Sequence, residues 1–283
     1  MTELRADELT LAYDGRAVVH SLSVVIPRQQ ITVIVGANAS GKSTLLRGLA
    51  RLLAPRGGAV YLDDVDLAKV SAGRLATQLG MLPQQPVAPD GITVADLVGR
   101  GRHPHQRWFR QWSSEDERVV KSALAATGVA DLADRSLDEL SGGQRQRVWI
   151  ALALAQDADT MLLDEPTTFL DLAHQLEILD LVQDLNREHG KTVVLVLHDL
   201  NLAARYADHL IALKDGRVAA TGTPAEVITP AVVANVFNLT AQVIPDPLTN
   251  TPLVIPVPRP PHQDPLSNPR PPPPHPSPRH LMG

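Results

Sequence analysis

The sequence contains no cysteine. That excludes disulfides, cysteine-ligated zinc and thiol nucleophiles, and it suits a reducing compartment. No apolar run approaches the roughly 20 residues that a membrane-spanning helix needs. Any membrane role is therefore expected to come through a partner. The opening stretch, Met1 to Gly15, has no apolar signal-peptide core, so no leader is expected. An excess of positive charge is also missing. Against 26 Lys and Arg stand 31 Asp and Glu, a formal net charge of -5. That balance gives no electrostatic reason to expect nucleic acid as a partner. Apolar residues, by contrast, make up 44% of the 283 residues. They suffice for a substantial core in one large domain or two small ones.

The most informative segment is Gly36-Ala37-Asn38-Ala39-Ser40-Gly41-Lys42-Ser43-Thr44. It follows the β-branched run Ile31-Thr32-Val33-Ile34-Val35, which reads as a buried strand, and precedes the helical Leu45 to Ala50. The spacing fits G-x-x-x-x-G-K-[ST], a P-loop. Backbone N–H groups of such a loop wrap phosphates, and the following helix N-terminus adds favourable partial charge. Lys42 is expected to reach the β- and γ-phosphates of a nucleotide triphosphate, and the Ser43 hydroxyl to hold Mg²⁺. A Gly/Ser turn that happens to carry a lysine is the plain alternative, and the strand–loop–helix context argues against it.

Residues 3 to 35 read as an antiparallel β region, with strands at Leu9–Tyr13 and Leu22–Ile26 around the turn Asp14-Gly15. Further strands are expected at Ala59–Leu62, Gly80–Leu82, Thr160–Asp164 and Thr192–Leu197. The last two are separated by a helix over Leu172–Glu188, a βαβ pattern that implies a parallel sheet. Thr93 to Gln156 is helical in pattern, with a start at Ser114-Glu115-Asp116-Glu117 and an apolar stripe through Val119, Leu124 and Val129. Asp215-Gly216 marks a hairpin between Leu210–Leu213 and Arg217–Ala220. From Pro245 the chain is rich in proline, including Pro271–Pro274, and is expected to be extended or disordered without a ladder or helix.

Two more blocks carry chemistry. Leu140-Ser141-Gly142-Gly143-Gln144 opens a helical run from Val148 to Ala155; its small residues leave backbone donors for phosphate, though they would also serve as a plain N-cap. Asp164-Glu165-Pro166-Thr167 ends an apolar strand. There Asp164 can order the Mg²⁺ shell and Glu165 can polarise an attacking water.

Together these blocks resemble the ATP-binding cassette (ABC) family of ATPases. The resemblance implies an α/β fold: a P-loop NTPase core with an antiparallel β portion and an inserted helical subdomain. The cassette would span 1–240, with the helical subdomain over about 85–158. A C-terminal extension follows over 241–283, Pro-rich and disordered from about 257. The resemblance assigns Tyr13 to stacking on adenine. It makes Gln84 the Q-loop glutamine that contacts Mg²⁺ or water, and Asp171 the D-loop aspartate. His198 becomes the switch histidine at the γ-phosphate. Ala37 and Ala39 depart from the commoner Pro and Gly of the loop, which requires Ala39 to avoid a conformation that only glycine adopts. The family pairs two copies head to tail. ATP on residues 36–44 of one copy would then be covered in trans by Ser141, Gly142, Gly143, Gln144 and Asp171 of the other. Membrane permease subunits and, indirectly, an external binding protein would complete the machine on the cytoplasmic face of the membrane. Non-transport cassettes of translation or DNA repair are the rival class; they carry tandem cassettes or a long coiled-coil insertion, and neither is visible.

Gly101-Arg102-His103-Pro104-His105-Gln106 is similar to the iron-siderophore importer subfamily, as are Leu140–Ala151, Leu197–Ala207 and Asp246–Pro256. Cobalamin and haem importers are the alternative cargo classes. His103 and His105 alone could suggest a metal site, but the pair lacks other close ligands. A permease-facing groove is the preferred reading of that stretch.

Overall fold

A computed structural model describes residues 3–106, 112–168 and 170–258. The chain begins with β1 (Leu4–Tyr13) and β2 (Arg16–Ile26), followed by β3 (Ile31–Gly36) and α1 (Lys42–Leu49). Next come β4 (Gly57–Leu62), β5 (Val65–Asp66), α2 (Ala72–Gln78) and β6 (Leu79–Leu82). A helical portion follows: α3 (Val94–Gly99), α4 (Ser114–Ala126) and α5 (Gly142–Ala155). The chain returns through β7 (Thr160–Leu163), α6 (Leu172–His189), β8 (Thr192–Val196), α7 (Leu200–Tyr206), β9 (His209–Lys214) and β10 (Arg217–Gly222). It continues with α8 (Pro224–Val227), α9 (Pro230–Phe237) and the pair β11 (Ala241–Pro245) and β12 (Pro252–Pro256).

The larger sheet has the order β10-β9-β3-β8-β7-β6, and all its neighbours are parallel except β9 and β10. Its central strands are apolar at nearly every position because both faces are covered. Ile31, Val33 and Val35 of β3, with Val193 and Leu195 of β8, face a core shared with the helices. Ile34, Val194 and Val196 face the opposite core, filled by β1, β2, β4 and α1. The smaller sheet, β2-β1-β4-β5, is antiparallel and covers that second face.

Three expectations are corrected. The antiparallel region stops at β2, because β3 pairs in parallel with β8 and β9 in the other sheet. The buried face of α4 runs through Val120, Ala123 and Leu124 rather than Val119, and Val129 lies beyond the helix end, after Gly128 at φ 65°. The proline-rich stretch after residue 245 does form a ladder, β11 with β12. Prolines occupy its ends, Pro245 opposite Pro252 and Pro256 opposite Ala241, where a missing N–H costs least. Asp246 builds the turn by accepting from the N–H groups of Leu248 and Thr249. Asn201 of α7 fastens β12 by exchanging two hydrogen bonds with the Val254 backbone, at 3.3 and 2.7 Å. The run Pro271–Pro274 and the disorder expected near the end lie outside the described residues.

Arg102 locks the helical portion together. Its side chain is 5% exposed and donates to Asp116 at 2.9 Å and to the Ala155 carbonyl at 2.9 Å. Burial pushes the Asp116 carboxyl up, but hydrogen bonds from Ser113 and Arg102 outweigh it and hold the group below the ordinary range. His105 adds a contact to the Gln156 carbonyl at 2.7 Å. Arg102 and His105 are thus spent on internal packing, whereas His103 and Gln106 of the same segment line a cavity of about 710 Å³. Replacing Arg102 by Met leaves Asp116 buried with its Ser113 hydrogen bonds but no counter-charge, at a cost of about 3 kcal/mol. Urea unfolding at pH 7 should register that loss, and a change under about 1 kcal/mol would contradict the locking role. A carboxyl whose folded pKa is depressed contributes stability above its unfolded value and loses it as pH falls. The gap between wild type and Arg102→Met should therefore narrow as pH falls through and below the carboxylate range.

Candidate functional site

Parallel register delivers the chemistry to one edge. Leu82, Leu163 and Leu195 are cross-strand partners in neighbouring strands, and Ile34 pairs with Val196. The chain leaves the sheet just past each of them, at Gln84, Asp164-Glu165, His198 and the Gly36–Thr44 loop. Ligands of open α/β sheets bind at this carboxyl edge. A cleft of about 660 Å³ lies there. Its lining includes Asn38–Thr44, Glu165 and His198, together with Arg16–Val18 and His20 from the antiparallel sheet and Asp215-Gly216 from the β9–β10 turn.

The loop is held from behind by that turn. Gly216 N–H donates to the Ser40 carbonyl at 3.0 Å, and His20 N–H donates to the Gly216 carbonyl at 2.9 Å. Only glycine fits at position 216, which has φ +71° and where an added Cβ would lie 2.0 Å from the Val18 carbonyl oxygen. Gly41, at φ 98°, precedes α1, and no side chain caps the helix. Its first-turn N–H groups remain available to an anion. Ala39 stands at φ 62°, in the left-handed region. That region favours glycine without excluding other residues, and the loop is formed with alanine under mild strain.

Lys42 is 5% exposed and donates to the carbonyls of Gly36 and Ala37 at 3.0 and 3.1 Å. Burial lowers its pKa, against the opposing pull of Glu165 and Asp164. Asp164 is 1% exposed and accepts from the Ser43 hydroxyl at 2.8 Å through Oδ1. Its Oδ2 is buried without a partner, as is the Ser40 hydroxyl. Burial raises the Asp164 pKa more than the Ser43 bond lowers it. A hydroxyl and a carboxylate with an orphaned oxygen, beside a phosphate-type loop, form a hard oxygen donor set that fits Mg²⁺.

Glu165 is the most constrained acid of the site. Its backbone sits at φ 51°, and such positions persist only where the surroundings over-determine them. One carboxylate oxygen accepts from the Gln84 amide and, at 3.1 Å, from the Thr168 hydroxyl. The other lies 2.7 Å from His198 Nε2. Gln84 therefore joins Glu165 rather than the Ser43–Asp164 pair. Tyr13 stands at the end of β1, 39% exposed and outside this cleft wall, its hydroxyl accepting from Arg47 at 3.3 Å.

Ser141 is the N-cap of α5 and forms a reciprocal capping box with Gln144. Gly142 and Gly143 open that helix, and Asp171 is the N-cap of α6. Both helix starts meet at His174, whose ring lies over Gly143 and whose Nδ1 lies 2.8 Å from Asp171. Sequence reasoning missed His174, Thr168 and the bracing role of Gly216. Only the Asp-Gly turn signal pointed toward any of them. Gly216→Ala should lower thermal stability by about 2 kcal/mol through strain and crowding, and weaken ATP binding with it. Ala39→Gly should do the reverse for stability, by no more than about 1 kcal/mol. Thermal unfolding and nucleotide titration of both variants check this; a neutral Gly216→Ala would contradict the bracing role.

A family profile described as ABC transporter matches residues 19–168. The chain is 53% identical over 256 residues to the achromobactin transport ATP-binding protein CbrD of Dickeya dadantii, covering 90% of this chain and 95% of the relative. It is 49% identical over 259 residues to the ferric enterobactin transport ATP-binding protein FepC of Escherichia coli, covering 92% and 96%. The dimeric structure of a bacterial ABC transporter cassette superimposes with a TM-score of 0.69 at 30% identity, covering 78% of this chain and 98% of that one.

Proposed function

This chain belongs to the ABC transporter family, and we propose that it is the ATP-hydrolysing subunit of an importer that takes up a ferric siderophore. The observation that carries the ATPase reading is Glu165, fixed by Gln84, Thr168 and His198 at the mouth of the P-loop cleft. The cargo reading is supported by identity near one half across nine-tenths of the chain to ATP-binding proteins for achromobactin and ferric enterobactin. No described helix is long and apolar enough to cross a membrane. As the importer reading has it, the ATPase would sit on the cytoplasmic face through permease subunits, with an external binding protein selecting cargo.

In this reading the 36–44 loop and Lys42 grip the β- and γ-phosphates. Lys42 exchanges its bonds to the loop carbonyls for phosphate oxygens. Ser43, Gln84 and, through water, Asp164 would hold Mg²⁺, which would supply charge neutralisation at those oxygens. Water attacks the γ-phosphorus, the bond to the β-phosphate oxygen breaks, and Glu165 accepts the proton that the water gives up. His198 and Gln84 orient the Glu165 carboxylate, and His198, lining the same cleft as the 36–44 loop, would contact the γ-phosphate. Two copies pair head to tail, and Ser141, Gly143 and Asp171 of one cover the nucleotide of the other. ATP closes the pair and hydrolysis reopens it. That cycle does work only because the closed and open states differ in nucleotide affinity.

Glu165→Gln should keep ATP binding and lose at least about 100-fold in turnover, the range for removing general acid–base catalysis. Radiolabelled ferric-siderophore uptake in cells lacking this chain checks both levels. Wild type should restore uptake and Glu165→Gln should not. Intact siderophore uptake without the chain, alongside normal ATPase activity in vitro, would keep the cassette and discard the cargo.

A further inference from the structure

The start of α6 folds back on itself. Asp171 caps the helix by accepting the backbone N–H of His174 at 2.9 Å, and the same oxygen meets His174 Nδ1 at 2.8 Å. This turns the imidazole toward α5. An ideal Cβ on Gly143 would lie 2.6 Å from His174 Cδ2 and 3.3 Å from its Cγ and Nε2. The ring thus occupies the place where any other residue at 143 would put a side chain. One turn further along the two helices, Arg147 donates to Glu177 at 2.7 Å, stitching the same pair again. On the other side, the segment before Asp171 is tied to the site, since both the Thr168 hydroxyl and its N–H donate to Glu165.

We propose that His174 is a positioning residue that sets the helix start Ser141–Gln144 against Asp171. It thereby shapes the face that one copy offers to the nucleotide of the other. Glu165, which acts on its own copy's ATP, holds Thr168, and Asp171, three residues on, holds His174 against Gly143, which serves the opposite ATP. The Asp171–His174 pair is half-exposed, so it adds little to fold stability. Its consequence is geometric: it fixes the height of the Gly143 backbone relative to Asp171. The inference rests on the paired-site reading above.

The test is ATP-induced dimerisation of the full chain in the Glu165→Gln background, followed by sedimentation. His174→Ala and Gly143→Ala should each raise the half-maximal ATP concentration about tenfold, and the double variant should be no worse than either single, because the two act on one contact. Melting temperature and ADP binding of the single copies should hold in His174→Ala. His174→Asn, which keeps a donor for Asp171 but loses the ring, should fall between wild type and His174→Ala. Wild-type dimerisation by His174→Ala, or additive effects of about 100-fold in the double variant, would overturn the proposal. Ser141→Arg separates the two levels. If it still dimerises with ATP, the paired-site reading itself fails; if it does not, the His174 variants report on His174 alone.

Discussion

The site depends first on the placement of β3 between β8 and β9, all three parallel. That register is fixed by apolar residues on both faces, so a slip would break two cores together. Once β3 is central, its end delivers the phosphate-type loop, while β7 and β8 end beside it and deliver Asp164, Glu165 and His198. The antiparallel pair β9–β10 extends the same sheet and ends in the glycine turn that supports the loop. The catalytic geometry is therefore a property of strand order more than of any one loop.

Electrostatics complete the picture. Lys42 and Asp164 have opposite charges, yet burial moves both pKa values against their charged forms. Withdrawal from water dominates at both groups. Such a site would gain from the charges of the occupants proposed for it: phosphate oxygens for the ammonium, and a divalent cation for the carboxylate with its unpartnered oxygen. Glu165 is treated differently, surrounded by donors from Gln84, Thr168 and His198 and held at a positive φ. The two neighbouring acids thus stand in different surroundings, which suits the different roles proposed for them.

Much of this was legible in the sequence. Three of the motifs sit where a strand meets a loop, and there the local signal is strong: an apolar run followed by Gly36–Thr44, by Asp164-Glu165 or by His198. Short-range patterns could not say which sheet β3 joins, because β-branched residues suit either pairing. Nor could they show that Ala241–Pro245 and Pro252–Pro256 pair as a hairpin, since it is fastened by Asn201 to Val254 and by Arg205 to Asp246, 53 and 41 residues apart, contacts that no local pattern encodes. Gly216 and His174 escaped for the same reason. Their importance lies in close approach to Val18 and Gly143, which only the folded chain reveals.

The central claim is that one copy's 36–44 loop and the other copy's Ser141–Gln144 enclose a single ATP, with Glu165 at the γ-phosphate. The most direct measurement is an experimental structure of Glu165→Gln bound to ATP and Mg²⁺. The account predicts a head-to-tail dimer with two enclosed nucleotides, Lys42 on the phosphates, and Ser141 and Gly143 of the opposite copy contacting the same nucleotide. Nucleotide bound with no second copy across it, or with Ser141 turned away from it, would contradict the account.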